Sequence, residues 1–380
     1  MKQKLLRFAS YVLVAALATV VTLATVGIQT PSKLDRLETL IQEQFVGEAD
    51  AQAVEDAAAA AMVKATGDRW SYYISAKDYA AHQEQEENAY VGVGITIQQE
   101  EDDSGFLIVM ITEGGPAQEA GLEVNDLLIA VEDQDVRGMT SDEVRELVRG
   151  EEGTSVALTV MRKGEHMTLS VERRRIEETV AEGEMLENGI GLVRIYNFDD
   201  RCAQESIAAI EALMAEGAQK LILDVRNNPG GFASELVELL DYLLPEGDLF
   251  RSVSYDGKET VDTSDADCLE IPMAVLVNGN SYSAAEFFAA ALQEYEAAVV
   301  VGEPTVGKGY YQNTIPLGDG SAVALSTGKY YTPKGNSLAE TGVTPDVRVD
   351  VDEDTAAEIY YGTRSAAEDP QIQAAVKALK

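Results

Sequence analysis

Val275-Leu-Val-Asn-Gly-Asn-Ser-Tyr-Ser-Ala-Ala-Glu-Phe-Phe-Ala-Ala-Ala-Leu-Gln-Glu294 begins as a buried strand over 274–277 and crosses a polar turn over 278–282. It continues as an alanine-rich helix ending near Tyr295. Ser281 and Ser283 stand where strand gives way to helix, and there the backbone N–H groups lack intrahelical partners and face an incoming negative charge. A glycine-flanked lysine follows in Val306-Gly-Lys-Gly309. A serine needs a base to attack a carbonyl, and a lysine serves only when neutral, a state that burial favours. The residues alone leave the nucleophile open. Ser283 lies nearer the helix and shares its aim with the N–H of Ala284, whereas Ser281 is better placed to cap or brace the turn. Taken singly, the serines also read as a capping pair and Lys308 as a solvated loop residue.

Outward from this stretch, short apolar strands alternate with helices. Ile190–Ile195 is a strand, followed by a helix through 203–214 that Asp199 or Asp200 is expected to cap. Ala218–Gly231 runs from a buried strand into a glycine turn, a helix spans 234–242, and Val299–Gly302 is another strand. Further strand is expected over 324–333 and 342–349, and a short peripheral helix over 370–379. Apolar strands of this kind imply an α/β core in which helices cover a sheet.

The composition bounds what such a core does. Net charge is -37, from 29 basic and 66 acidic residues, which excludes nucleic acid as a partner. Two cysteines, Cys202 and Cys268, make no disulfide scaffold and leave their pairing open. Two histidines, His82 and His166, are too few for a histidine-centred metal site, and no cofactor is implied. Lys2, Lys4 and Arg7 precede an almost wholly apolar run over 8–28. That pattern predicts a cytoplasmic tail over 1–7 and an uncleaved transmembrane anchor over 8–28, a cleaved signal peptide being the rival. The protein is accordingly expected in the cell membrane as a single-pass species, its catalytic part extracytoplasmic. Residues 29–85 form a helical segment, within which Trp70 is read as a core plug and the run 82–88 as a helix end or linker.

Residues 86–175 read as a separate domain. A strand over 90–97 and another over 106–111 lead to a short helix at Gly114–Gly121. A strand at 126–131, a helix at 140–149 and a hairpin around Arg162-Lys-Gly164 follow. The order, with Gly-Pro-Ala-Gln-Glu-Ala-Gly-Leu over 115–122 and Asn-Asp-Leu-Leu-Ile over 125–129, resembles a PDZ domain. That resemblance implies a groove capturing a peptide by strand addition, with Val91, Gly92, Val93, Gly94 and Ile95 as the loop that binds its carboxylate.

The larger domain, 176–349, resembles the carboxyl-terminal processing peptidases, or tail-specific proteases, whose Ser-Lys core is of the crotonase/ClpP-like sheet-helix type with an inserted PDZ domain. Asn280-Ser-Tyr-Ser-Ala-Ala-Glu286 matches the family's serine block and places the nucleophile at Ser283. Thr305-Val-Gly-Lys-Gly-Tyr-Tyr-Gln312 makes Lys308 the general base and Gln312 the residue that orients it. Asp224-Val-Arg-Asn-Asn-Pro-Gly-Gly231 is similar to the turn that supplies oxyanion donors, here the N–H groups of Gly231 and Ala284. The family marks over 332–335 and 342–346 are also present; Asn280, Tyr282 and Ala285 depart from the pattern, and Tyr282 narrows the space beside the nucleophile. The resemblance implies a membrane-anchored endopeptidase cleaving polypeptides with apolar C-termini near their carboxyl ends. It also leaves room for a homodimer through the N-terminal helices and for a regulatory membrane partner. The competing readings are a catalytically silent PDZ-containing peptide-binding scaffold and acyl transfer or hydrolysis on a non-peptide substrate. Residues 350–380 form a tail.

Overall fold

The computed structural model describes residues 31–100 and 102–379. These fall into two compact units that divide between Arg69 and Trp70. The first holds two helices. Lys33–Gln44 starts at a capping box in which Ser32 and Asp35 satisfy each other's backbone N–H groups, and Ala51–Lys64 starts at Asp50, whose carboxylate accepts from Gln52 and Ala53.

The anchor expected over 8–28 lies outside the described residues, and among those described no helix is long and apolar enough to cross a membrane. Ala51–Lys64 and Cys202–Ala215 have 14 residues each. At 1.5 Å per residue that is about 21 Å, short of the ~30 Å hydrocarbon core. The fold class is therefore corrected to an α/β core with a PDZ-like insert, in which no described helix spans a membrane. The expected single-pass membrane localisation, with its extracytoplasmic catalytic part, accordingly has no support among the described helices.

In the second unit a six-stranded sheet forms the core. Ile190–Ile195, Lys220–Asp224, Met273–Val277, Ala298–Gly302 and Val347–Arg348 run parallel in that order, and Ala181–Leu186 joins antiparallel at the first edge. Alternate residues of these strands serve opposite faces. Val193, Ile195, Leu221, Leu223, Val275 and Val277 pack beneath the helices Cys202–Ala215, Ala233–Leu243 and Ala284–Glu294. Ile190, Leu192, Ile222, Ala274 and Leu276 are covered by Ile372, Ala375 and Leu379 of the segment containing the helix Pro370–Ala378. Both faces are dry, which is why the strands read as unbroken apolar runs. The helix Pro370–Ala378 is thus no peripheral tail; it closes the back of the core. Arg201, in left-handed conformation, is the N-cap of Cys202–Ala215, so neither Asp199 nor Asp200 plays the expected part; the Glu235 carboxylate accepts from Ala203 N–H instead. Cys202 and Cys268 are both free thiols, and Cys202 is buried.

A second, antiparallel sheet joins Tyr72–Ile74, Tyr310–Pro316, Ala322–Tyr331, Gly247–Ser254 and Glu259–Ser264. The chain leaves this region through the helix Ala76–Glu86, which occupies most of the run 82–88 read as a helix end or linker. It enters the insert along Ala89–Gly92 and returns along Arg174–Glu177, the two pairing antiparallel as a ribbon. Arg201 holds the ribbon's base by donating to the carbonyls of Glu87, Asn88 and Glu178, while Asn88 exchanges side-chain hydrogen bonds with Asn197. Beyond the ribbon, the insert's sheet runs Ile95–Gln99, Phe106–Ile111, Leu127–Val131, Ser155–Arg162, Glu165–Glu172 around its own core, with Phe106, Ile108, Leu128, Leu158 and Val160 fully buried. The single strand expected over 90–97 is broken into two. Val93 and Gly94 turn their carbonyls to Ala117 and Thr112, and the pairing partner changes there from Arg174–Glu177 to Phe106–Ile111.

Candidate active site

Ser283 caps the helix Ala284–Glu294 from a backbone position few side chains adopt, φ 59° and ψ -125°. Such a conformation costs of order 1–3 kcal/mol and persists only where the surroundings enforce it. Here they do. The preceding strand is wholly buried, Tyr282 N–H donates to the Asn228 carbonyl, and Ser283 N–H donates to the Glu286 carboxylate at 3.0 Å. Ser281 is fully buried: its hydroxyl donates to the Val225 carbonyl at 2.7 Å and accepts from Asn278 N–H. It braces the turn, and Ser283 occupies the strained position.

Glu286, one turn into that helix, is fully buried yet carries a carboxylate. One oxygen accepts from the Thr305 hydroxyl at 2.5 Å and from Gly307 N–H at 2.7 Å. The other accepts from Ser283 N–H and from Lys308 N–H at 2.8 Å. One side chain therefore ties the backbone of the serine to that of the lysine. Sequence reasoning passed over it, although Ser283-x-x-Glu286 has the spacing of a capping box.

Lys308 Nζ lies 5.0 Å from the centre of the Trp70 ring and 5.8 Å from that of Tyr282, and the two rings stack with centres 6.2 Å apart. Trp70, read as a core plug, thus walls the site together with Tyr282, and the Lys308 amino group faces both rings. Gln312 lies at a bulge in Tyr310–Pro316, where its amide nitrogen donates to the Ser326 hydroxyl at 2.8 Å and the Tyr310 carbonyl at 3.3 Å.

The glycine turn of residues 230–231 presses against the serine. A Cβ on Gly230 would sit 2.7 Å from Ser283 Cβ and 2.9 Å from Ala284 N, and one on Gly231 would sit 2.2 Å from the Phe198 carbonyl carbon. Both have positive φ, 89° and 151°, so the turn admits no side chain on either ground. Phe198 N–H donates to the Gly230 carbonyl and Phe232 N–H to the Phe198 carbonyl, and Gly231 N–H takes part in neither bond. Ala284 N–H belongs to the helix's first turn, where no intrahelical acceptor exists. Beside this turn, burial and then Glu86 and Glu235 push the Asp199 carboxyl up to about 7.

On the insert, a groove of about 290 Å³ runs along the edge strand Ile95–Gln99. Gly92, Val93, Gly94 and Ile95 line it, and Val91 lies in the adjoining strand Ala89–Gly92. Opposite stand Ser141, Arg145, Val148 and Arg149, from the helix Ser141–Val148 and its C-cap. The two arginines are an addition to the residues picked out from sequence.

The peptidase family S41 profile matches residues 189–349, and the PDZ domain profile matches residues 108–162. The carboxy-terminal processing protease CtpA of Bacillus subtilis (strain 168) is 32% identical over 331 residues, spanning 86% of this chain and 71% of that protein. A "Probable CtpA-like serine protease" of Staphylococcus aureus (strain COL) is 29% identical over 340 residues, spanning 88% and 68%. Among solved structures, an S41 protease from Bacteroides fragilis NCTC 9343 superposes with a TM-score of 0.54 at 17% identity, over 93% of this chain and 98% of that one. That last likeness is one of fold. The molecule is a serine endopeptidase of Ser-Lys type that carries a PDZ domain. It belongs to peptidase family S41, of the carboxyl-terminal processing type, and acts on polypeptides. The membrane anchoring expected alongside this activity is not carried with it, since no described helix spans a bilayer.

Proposed function

We propose that Ser283 is the nucleophile of this endopeptidase, Lys308 its general base and Gln312 the residue that orients the lysine. The neutral Lys308 amine takes the hydroxyl proton as Ser283 Oγ bonds to the scissile carbonyl carbon. The N–H groups of Gly231 and Ala284 receive the resulting oxyanion, each donor being worth about 3 kcal/mol in the transition state. Collapse expels the leaving amine, which takes the proton back from Lys308, and water then releases the acyl-enzyme. The observation that carries this reading is the Glu286 carboxylate accepting from both Ser283 N–H and Lys308 N–H.

Substrate choice lies with the insert, taken as residues 86–175, ahead of the protease domain at 176–349. The loop formed by Val91, Gly92, Val93, Gly94 and Ile95 receives the carboxylate of an apolar C-terminus, and Ile95–Gln99 offers the peptide an open edge. Arg145 and Arg149 supply positive charge beside it. Exposed Leu34, Leu37 and Leu40 on Lys33–Gln44 support a homodimer through the N-terminal helices.

The test is cleavage of an unstructured protein ending in an apolar residue. Ser283→Ala and Lys308→Ala are expected to abolish it, while Ser281→Ala, which removes a brace worth about 1 kcal/mol, keeps substantial activity. Cleavage by Ser283→Ala at the wild-type rate would refute the assignment.

A further inference from the structure

The oxyanion turn has a second support, from the far side of the core sheet. Arg226 stands four residues before Gly230, with a side chain only 4% exposed. Its Nε and one terminal nitrogen donate to the two oxygens of Asp224, at 2.9 and 2.6 Å. The other terminal nitrogen donates to Asp369 Oδ2 at 2.8 Å and to Gln371 Oε1 at 2.9 Å. Asp369 and Gln371 are themselves buried, and each is held twice. Asp369 Oδ1 caps the helix Pro370–Ala378 by accepting from Gln371 and Ile372 N–H, and the Gln371 amide nitrogen donates to the Val349 carbonyl. Burial pushes the guanidinium down, but Asp224 and then Asp369 more than offset this and hold Arg226 firmly charged. Onward from Arg226, Asn227 N–H donates to Asn278 Oδ1, and the side chains of Asn278 and Asn280 donate back to Asn227 Oδ1. The next residues are Asn228, Pro229 and the two glycines that face Ser283.

We propose that Asp369 and Gln371 are positioning residues for the peptidase reaction, fixing the oxyanion turn through Arg226. The inference rests on the reading of Gly231 N–H as an oxyanion donor. Asp224 alone serves two of the three guanidinium nitrogens. Without Asp369 and Gln371, one buried terminal nitrogen loses both of these acceptors, and a buried, unpaired charged donor is costly enough to move. It has somewhere to go: a cavity of about 550 Å³, lined by Arg194, Tyr196, Arg226, Arg364 and Asp369, adjoins it. Movement of Arg226 into that space draws Asn227 away from Asn278 and the donor away from the nucleophile. Both residues lie beyond the span 189–349 that the S41 profile matches.

The test compares the full chain with Asp369→Asn, Asp369→Glu, Gln371→Met and Ser283→Ala, measuring kcat, KM and melting temperature on one unstructured substrate. A displaced oxyanion donor lowers kcat and spares KM. Asp369→Asn is expected to lose about tenfold or more in kcat and Gln371→Met about threefold, with KM within about twofold. Asp369→Glu, which keeps the charge, is expected to recover part of the loss. Affinity for a peptide aldehyde, whose hemiacetal oxygen needs the same donors, should fall in step with kcat. A wild-type kcat in Asp369→Asn and Gln371→Met with only a lowered melting temperature would overturn the proposal. So would failure of both variants to fold, which would make the cluster a folding element alone. Undiminished cleavage by Ser283→Ala would instead sink the underlying site assignment, and the proposal with it.

Discussion

The two turns that meet at Ser283 are held by opposite means. On the lysine side a single carboxylate, Glu286, gathers the backbone N–H groups of Ser283, Gly307 and Lys308 and the hydroxyl of Thr305. On the side of the proposed oxyanion donors the work is spread over neutral amides. Asn228 spans Ile195 and Gly230, Asn227 pairs with Asn278 and Asn280, and only Arg226 brings charge, from behind. A single-carboxylate hub fails all at once, because a buried donor left without an acceptor costs about 1–3 kcal/mol and three or four would be orphaned together. A distributed amide network fails by degrees. Under the proposed mechanism, the arrangement therefore concentrates fragility where proton transfer needs the serine and lysine in register, and spreads it where the donors only have to be aimed.

The sharpest way to break this contrast is Glu286→Gln, which keeps the shape but turns one acceptor into a donor facing two N–H groups or an N–H and a hydroxyl. Misplacement of reacting groups by about 1 Å costs on the order of a hundredfold, and at least that loss of kcat is expected, with a lower melting temperature. Retention of more than a tenth of the activity would show that the lysine loop is held by something else. Asn228→Ala should do less. It deprives the Ile195 carbonyl and Gly230 N–H of partners, for about 2 kcal/mol of stability and about a tenfold fall in kcat, because Asn227 still holds the turn. Equal damage from the two substitutions would erase the distinction.

The smallest expected effect sharpens the oxyanion side alone. Asp199 adjoins Gly231 and has a pKa raised from 3.8 to about 7 by burial and then by Glu86 and Glu235. The native chain thus keeps a proton that the unfolded chain releases near pH 4. Stability from this group is fully present below about pH 4 and is lost as pH rises toward about 7. Asp199→Asn should raise the melting temperature at pH 8 and narrow the difference by pH 5. A difference that does not change with pH would contradict that account.

What was legible from sequence follows a physical divide. The strands buried on both faces announce themselves, because dry environments admit only runs such as Lys220-Leu-Ile-Leu-Asp224 and Met273-Ala-Val-Leu-Val277. Gly247–Ser254 and Glu259–Ser264 did not stand out, since Asp248, Arg251 and Asp262 interrupt their apolar positions and half-exposed strands tolerate that. The helix Pro370–Ala378 looked peripheral because alanine is neutral between core and surface, and only the facing strands reveal which side it buries. Arg201 displaced the expected aspartate cap because its guanidinium is committed to the ribbon's carbonyls and to Glu205. At the site, Ser283, Lys308, Gly231 and Ala284 carry local motif signals. Glu286 carries one too, as the end of the serine block, but its hold on Gly307 and Lys308, like the place of Trp70, depends on distant residues that only the fold brings near.

The ribbon of Ala89–Gly92 and Arg174–Glu177 has one more consequence. Its register pairs Ala89 with Glu177 and Gly92 with Arg174, so the chain departs and returns at neighbouring points. Closure of that long excursion is settled by the ribbon itself, and the cost of joining two chain ends rises only slowly with the length between them. To the protease core the whole insert is a hairpin, and its length or architecture can change without altering the span the core must bridge.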